Sequence, residues 1–332
     1  MVWIPLLLGL LLSLPCLPSS AVAATASAGP QIPASWQRVL PAVVSIRAHV
    51  PSSSPSVLTL GPLRGGSGVI IDPAGYIVTV GYILVDADFI EVSLPDGRSL
   101  PATLVGLDLE QGFGLIQLRG GGPWPAAPLG DSSRVAVGDA TGTIGMDDQN
   151  SVAITQGSVR EIRGFAGYWE YALDRAFIVS PPNPAFGGSP LVNAAGEVIG
   201  VTSLQLGRPP SENLAIPIED FLRVKNELMA SGRVASRPPR PWLGLYTVQT
   251  DQGVLVAGTS PVGPSAEADF EQGDVILRLN GEKIENQGDF YRKLWRTEVG
   301  QEVRILVMRQ SRFEVVTLRS INRYDLLAPR GK

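Results

Sequence analysis

Cleaving an amide by acyl transfer takes a nucleophile, a base to accept its proton, and a group that orients the base. This chain is short of such groups. Its single histidine, His49, stands in a β-branched run, where a packed or half-exposed side chain is the plain reading, and its single cysteine, Cys16, sits in an apolar leader. Ser189 occupies a Gly187-Gly188-Ser189-Pro190 turn with no base evident beside it, so a structural serine is the better expectation. Asp108 and Glu110 lie within the segment Gly106–Leu115 and read as a solvated loop. Past the leader, no His/Cys cluster exists to ligate a metal, and no cofactor is expected.

The elements that would position these residues are mostly strands. Val43–Val50 is β-branched and bounded by Pro51; Gly68–Ile71 turns through Asp72-Pro73-Ala74-Gly75 and returns as Tyr76–Thr79. Ile90–Leu94 alternates into the turn Pro95-Asp96-Gly97-Arg98. Further strands are expected at Ala102–Val105, Gly114–Leu118, Ala140–Ile144, Val152–Val159, Phe177–Val179 and Val198–Leu204. A short helix over Pro33–Leu40 precedes them, and Ser52–Pro62 reads as a mobile Ser/Pro loop. Many short strands at this spacing predict an all-β sandwich or barrel. Glu219–Ala230 then reads as an amphipathic helix with an apolar stripe of Phe221, Leu222, Val224, Leu228 and Met229, stopped at Gly232. Arg237-Pro238-Pro239-Arg240-Pro241 has the composition of a stiff interdomain spacer. A second, smaller unit follows, with strands at Gly253–Val256, Val275–Leu279, Val303–Met308 and Glu314–Leu318 and a helix near Gln287–Trp295.

At 332 residues the chain has room for two cores. A hydrophobic fraction of 44% with 17% charged residues suits a folded protein, and a net charge of −4 supplies no basic field for nucleic acid. The 37 glycines and 28 prolines agree with a turn-rich β protein. Val2–Leu14 is apolar and is followed by Ala21-Val22-Ala23 and Ala26-Ser27-Ala28, shaped like signal-peptidase sites. Export to a bacterial periplasm is expected, with an uncleaved anchor as the alternative. No Lys or Arg precedes the apolar run, and Pro15 before Cys16 disfavours lipidation.

Taken in order, Gly66–Thr79, Pro128–Ser133, Gly187–Gly200 and Asn213–Ile218 resemble segments of the bacterial HtrA-type proteases. The resemblance runs from about Pro41 to Ser320 and implies a trypsin-like double β-barrel followed by a PDZ domain. The implied organisation is a signal peptide over 1–28, the barrels over 29–232, a linker over 233–241, the PDZ domain over 242–322 and a tail over 323–332.

In that family pattern the catalytic histidine position falls on Tyr82, the aspartate position on Gly112 and the nucleophile position on Gly187. Tyrosine, with an ordinary pKa of about 10, is a poor base at neutral pH, and glycine supplies neither nucleophile nor orienter. Loss of a complete triad costs about a million-fold in turnover. The resemblance leaves the backbone N–H groups of Ala185 and Gly187 as an oxyanion-hole-like pair, and Tyr82 is expected to fill the vacated histidine space.

In the second unit, Trp242-Leu243-Gly244-Leu245 matches the loop whose amides face a peptide's terminal carboxylate, and Phe290 and Leu294 lie on the helix expected to wall the groove. The plain alternative makes Trp242, Phe290 and Leu294 core residues. The expected function is therefore an exported pseudoprotease that binds peptides or protein C-termini as an adaptor, chaperone-like holder or regulator. The alternatives are an active endopeptidase with a displaced nucleophile such as Ser189, and a partner subunit of an active homologous protease.

Overall fold

The computed structural model describes residues 32–327, so the expected leader and the end of the tail lie outside the described residues. Strands dominate. The first six are β1 (Val43–His49), β2 (Leu63–Ile70), β3 (Tyr76–Val80), β4 (Phe89–Ser93), β5 (Ser99–Asp108) and β6 (Phe113–Leu118). They close into a barrel of order β1-β2-β3-β6-β5-β4. The next six are β7 (Ala140–Met146), β8 (Val152–Gly167), β9 (Tyr171–Ser180), β10 (Pro190–Asn193), β11 (Val198–Leu206) and β12 (Glu212–Pro217). These repeat the same topology as a second closed barrel, in which β10 pairs with β7 to complete the ring. Closure leaves no unpaired edge on either sheet.

Three one-turn helices, α1 (Ala34–Gln37), α2 (Val57–Leu60) and α3 (Gly81–Leu84), lie before and within the first barrel. The segment expected to be a mobile loop thus carries α2, and Arg64 donates to the Ser56 hydroxyl at 2.7 Å just ahead of it. Helix α4 (Ile218–Ser231) leaves the second barrel and returns to the first. Its buried face is Ile218, Phe221, Val224 and Leu228, while Leu222 and Met229 of the expected stripe are exposed. At 3.6 residues per turn those two fall off the i, i+3, i+7 line that meets the barrel. The Phe221 ring packs 5.6 Å from Phe113, and Gly232 ends the helix in a left-handed conformation.

The last unit comprises β13 (Pro241–Trp242), β14 (Leu245–Thr250), β15 (Gly253–Thr259), β16 (Val275–Leu279), β17 (Glu282–Lys283), α5 (Gln287–Leu294), β18 (Glu302–Arg309), β19 (Arg312–Arg319) and β20 (Ile321–Asn322). Its core gathers Leu243, Leu245, Ile276, Phe290, Leu294, Val303 and Ile305. Each such side chain, withdrawn from water, contributes about 1.5–3 kcal/mol.

Two expectations change here. Asp108 and Glu110 form no solvated loop: Asp108 is fully buried and Glu110 nearly so. Arg237 reaches Asp108 at 2.8 Å and Arg240 reaches Glu110 at 3.0 Å, so the spacer's arginines clamp it to the first barrel. Burial of the carboxylates is tolerable because the guanidinium groups and the backbone N–H groups of Glu110 and Gln111 compensate their charge. Strand β8 also runs eight residues beyond the expected end at Val159, and β9 begins six residues before Phe177. The two form a long hairpin whose tip leaves the barrel.

Candidate functional site

Two places hold the residues singled out in the sequence. The first is the cleft between the barrels. Strand β3 delivers α3, placing Tyr82 at the boundary; its hydroxyl donates to the Ser203 carbonyl on β11 at 2.9 Å. One side chain thus bonds across from the first barrel to the second. Burial pushes the Tyr82 phenol well above its ordinary range, which removes it further from any role as a base.

Gly187 lies against that phenol: a Cβ at position 187 would stand 2.8 Å from Tyr82 Oη. Gly112 adjoins α3, because the Gly81 N–H donates to its carbonyl at 2.7 Å. At Gly112 φ is +87°, and a Cβ there would meet Tyr171 Oη at 2.8 Å. A side chain at 112 therefore faces both left-handed strain and a buried phenol. The fold brings Tyr82 and Gly187 into contact and sets Gly112 beside α3.

The turn 183–189 is held from within by Asn183, a residue that sequence reasoning passed over. Fully buried, Asn183 donates through Nδ2 to the carbonyls of Thr143 and Ala153 at 2.9 Å. Its Oδ1 accepts from the Ala185 N–H at 2.8 Å. This corrects the expected oxyanion-hole pair, since the Ala185 amide already has a partner. Gly187 N–H has none among the described residues, and the Gly187 carbonyl accepts from Ser67 N at 2.7 Å. Ser189 is fully buried, and its hydroxyl donates to the Ala185 carbonyl. A cavity of about 420 Å³ opens beside this turn, lined by Gly66, Ser67, Tyr82, Met146, Ala185 and Gly187 among others. His49 is exposed on β1, its ring tilted against Phe89, outside that lining. Among the described residues no cluster of His, Cys, Asp or Glu is arranged to hold a metal, and no helix is long and apolar enough to cross a membrane.

The second place is the loop Trp242–Leu245 with β14 and α5. Its amides point at a carboxylate, and that carboxylate belongs to the protein itself. Glu170, at the tip of the β8–β9 hairpin, accepts from Leu245 N–H at 2.7 Å and from Leu243 N–H at 3.1 Å. Tyr168 follows the same edge two residues back, its carbonyl accepting from Thr247 N–H at 2.8 Å. From the helix side, the Tyr291 hydroxyl donates to the Gly167 carbonyl at 2.7 Å, and Gln287 Nε2 reaches the same oxygen at 3.2 Å.

The expected open groove is therefore filled. Phe290 and Leu294 are both fully buried, and Ala166 and Ala172 of the hairpin pack against their core. Trp242 is nearly buried, with Arg323 over its ring. Glu170 is 6% exposed, and burial pushes its carboxyl up to about 7 against the opposing pull of the loop amides and Arg323. Sequence offered one faint signal for Glu170: a lone acid inside the aromatic run Tyr168-Trp169-Glu170-Tyr171.

Comparison with known proteins follows this division. Residues 66–201 match the trypsin-like peptidase domain family, and residues 241–319 match the PDZ domain family. A probable periplasmic serine endoprotease, DegP-like, of Halomonas elongata is 32% identical over 270 residues, covering 76% of this chain and 55% of that protein. The putative protease Do-like 14 of Arabidopsis thaliana is 29% identical over 288 residues, covering 77% of this chain and 64% of that one. The chain thus spans about half the length of the DegP-like relatives it matches. Among solved structures, the HtrA-type protease AlgW with a decapeptide superposes with a TM-score of 0.52 at 25% identity, covering 90% of this chain and 98% of that one. A serine endoprotease from Yersinia pestis gives 0.51 at 25% identity, covering 86% and 96%.

Proposed function

From a chain of the HtrA/DegP type, a trypsin-like serine protease domain followed by a C-terminal PDZ domain, we propose an exported pseudoprotease that captures peptide or protein C-termini. Tyr82, Gly112 and Gly187 stand in the triad positions, and none supplies a base, an orienting carboxylate or a nucleophile. The observation that carries this reading is the contact between Tyr82 and Gly187. The phenol is hydrogen-bonded to Ser203 and lies where a side chain at 187 would have to emerge. A serine hydroxyl without a base does not attack an amide, and here the hydroxyl is missing as well.

The cleft keeps a different capacity. A cavity of about 420 Å³ beside an unpaired Gly187 N–H offers space and one donor to an extended chain, without a group that reacts. Peptide capture falls to the PDZ unit, where the N–H groups of Leu243 and Leu245 and the edge of β14 are of the kind that receives a chain end, though Glu170 and Tyr168 of the protein's own hairpin now occupy them. A periplasmic location is supported by the names of the DegP-like relatives.

Those relatives are named as endoproteases, which favours the second reading, an active peptidase using Ser189. It requires Ser189 to leave a buried bond to Ala185 and to find a base. Labelling the purified chain with a serine-directed fluorophosphonate, with unfolded casein as substrate, separates the two. The pseudoprotease reading expects no label and intact casein; cleavage that vanishes in Ser189→Ala overturns it.

A further inference from the structure

We infer that the β8–β9 hairpin is a built-in ligand of the PDZ unit, with the Glu170 side chain standing in for a peptide's terminal carboxylate, so that a C-terminus binds only by displacing it. The inference rests on the proposed capture of C-termini and adds what regulates that site.

The geometry is that of a ligand, carried through several contacts. A peptide entering by strand addition places its carboxylate against the loop amides and pairs its backbone with the strand that follows. Glu170 accepts from Leu243 and Leu245, and Tyr168, two residues earlier, pairs with Thr247 two residues further along β14. The spacing of two is the strand period, so one edge of β14 meets both groups. The chain continues past Glu170 into β9, so no chain end is available. The left-handed backbone at Glu170, with φ of +55°, turns the chain away and leaves its side-chain carboxylate to reach the amides. The opposite wall is closed as well, because Tyr291 and Gln287 of α5 both donate to the Gly167 carbonyl.

A tethered ligand is present at high effective concentration, and an incoming peptide sees only the fraction of molecules in which the tether is released. Removing the carboxylate lifts that restriction. The test uses the full chain and a short fluorescent peptide ending in a free valine carboxylate, alongside its C-terminal amide form. Glu170→Ala is expected to bind the free-acid peptide at least about ten-fold more tightly than the wild type, with the amide form weak on both. Hydrogen exchange supplies a reading that needs no peptide: the amides of Leu243 and Leu245 exchange slowly in the wild type and faster in Glu170→Ala.

The outcomes separate cleanly. Equal peptide affinity in wild type and Glu170→Ala overturns the built-in ligand and leaves peptide capture standing. Equal exchange rates at Leu243 and Leu245 in the two proteins also overturn it, whatever binds. Exchange that responds to the substitution while neither protein binds the free-acid peptide overturns peptide capture itself, and displacement with it. Glu170→Gln gives a second variant of near-identical shape, whose Oε1 can still accept from both Leu243 N–H and Leu245 N–H. It is expected to fall nearer the wild type than Glu170→Ala does in both measurements, and a Gln variant that matches Glu170→Ala would overturn the role given to those two bonds.

Discussion

The two candidate sites of this molecule fail to be open for opposite reasons. In the cleft between the barrels the space survives, about 420 Å³ of it, while the groups around it are turned on one another: Tyr82 to Ser203, Asn183 to Ala185, Ser189 to Ala185. In the PDZ unit the donor groups survive and the space is gone, because the protein's own hairpin stands in it. The first condition is written into side-chain identity and calls for several substitutions to reverse. The second is a docking equilibrium, which a competing ligand can shift.

The largest effect that bears on this contrast concerns chemistry. Turnover on casein is expected to lie about a million-fold below that of an intact triad. Gly187→Ser alone should remain unlabelled by fluorophosphonate, because no base stands by and its Cβ would meet Tyr82 Oη at 2.8 Å. Label on that single variant would break the comparison at its stronger end.

Stability comes next. Glu170→Ala strands the buried amides of Leu243 and Leu245, and urea denaturation is expected to show a loss of about 1–3 kcal/mol. If the hairpin is a displaceable ligand, adding the free-acid peptide returns part of that loss to the variant. No loss at all would mean that the amides find water as readily as Glu170.

The pH dependence sharpens the same point. Burial raises the Glu170 carboxyl from an ordinary 4.5 to about 7, so the docked hairpin holds a proton that an undocked one has already released. Docking is then favoured at the acid end, and this advantage is lost as pH climbs from about 4.5 to about 7. The charged and titratable groups near it are Arg323, Tyr291 on α5 and, across a small cavity, Glu110, Arg240 and Tyr324. The affinity gap between Glu170→Ala and wild type is expected to narrow over that window, read by fluorescence anisotropy at fixed salt. A gap that widens would reverse the assigned sign.

The smallest effect is in the cleft. Tyr82→Phe removes one hydrogen bond between the barrels and is expected to cost about 1 kcal/mol in denaturant, with no gain of activity. An unchanged midpoint would leave Tyr82 as packing alone.

Much of the barrel architecture could be read in advance. The turn Asp72-Pro73-Ala74-Gly75 and the alternation in β4 carry local signals that any chain with those residues would obey, and α4 fell within two residues of its expected limits. The full length of the hairpin is not legible in sequence, because Arg160–Gly167 mixes charges with two glycines and pairs with β9 through register shifts, so no clean period marks it. Asp108 and Glu110 looked solvated because their partners, Arg237 and Arg240, stand more than a hundred residues away.

By itself, then, the order of residues decided which atoms exist for chemistry: one histidine, at position 49, glycine at 112 and 187, tyrosine at 82. That limit holds in any fold, since no arrangement creates a base from a missing side chain. Only the tertiary structure decided what the surviving donors do. Whether the amides of Leu243 and Leu245 face a visitor or Glu170 depends on a contact across more than seventy residues, closed by the packing of Ala166 and Ala172 against the core that holds Phe290. Backbone N–H donors are supplied alike by every residue except proline, so the identity of their acceptor is settled by packing.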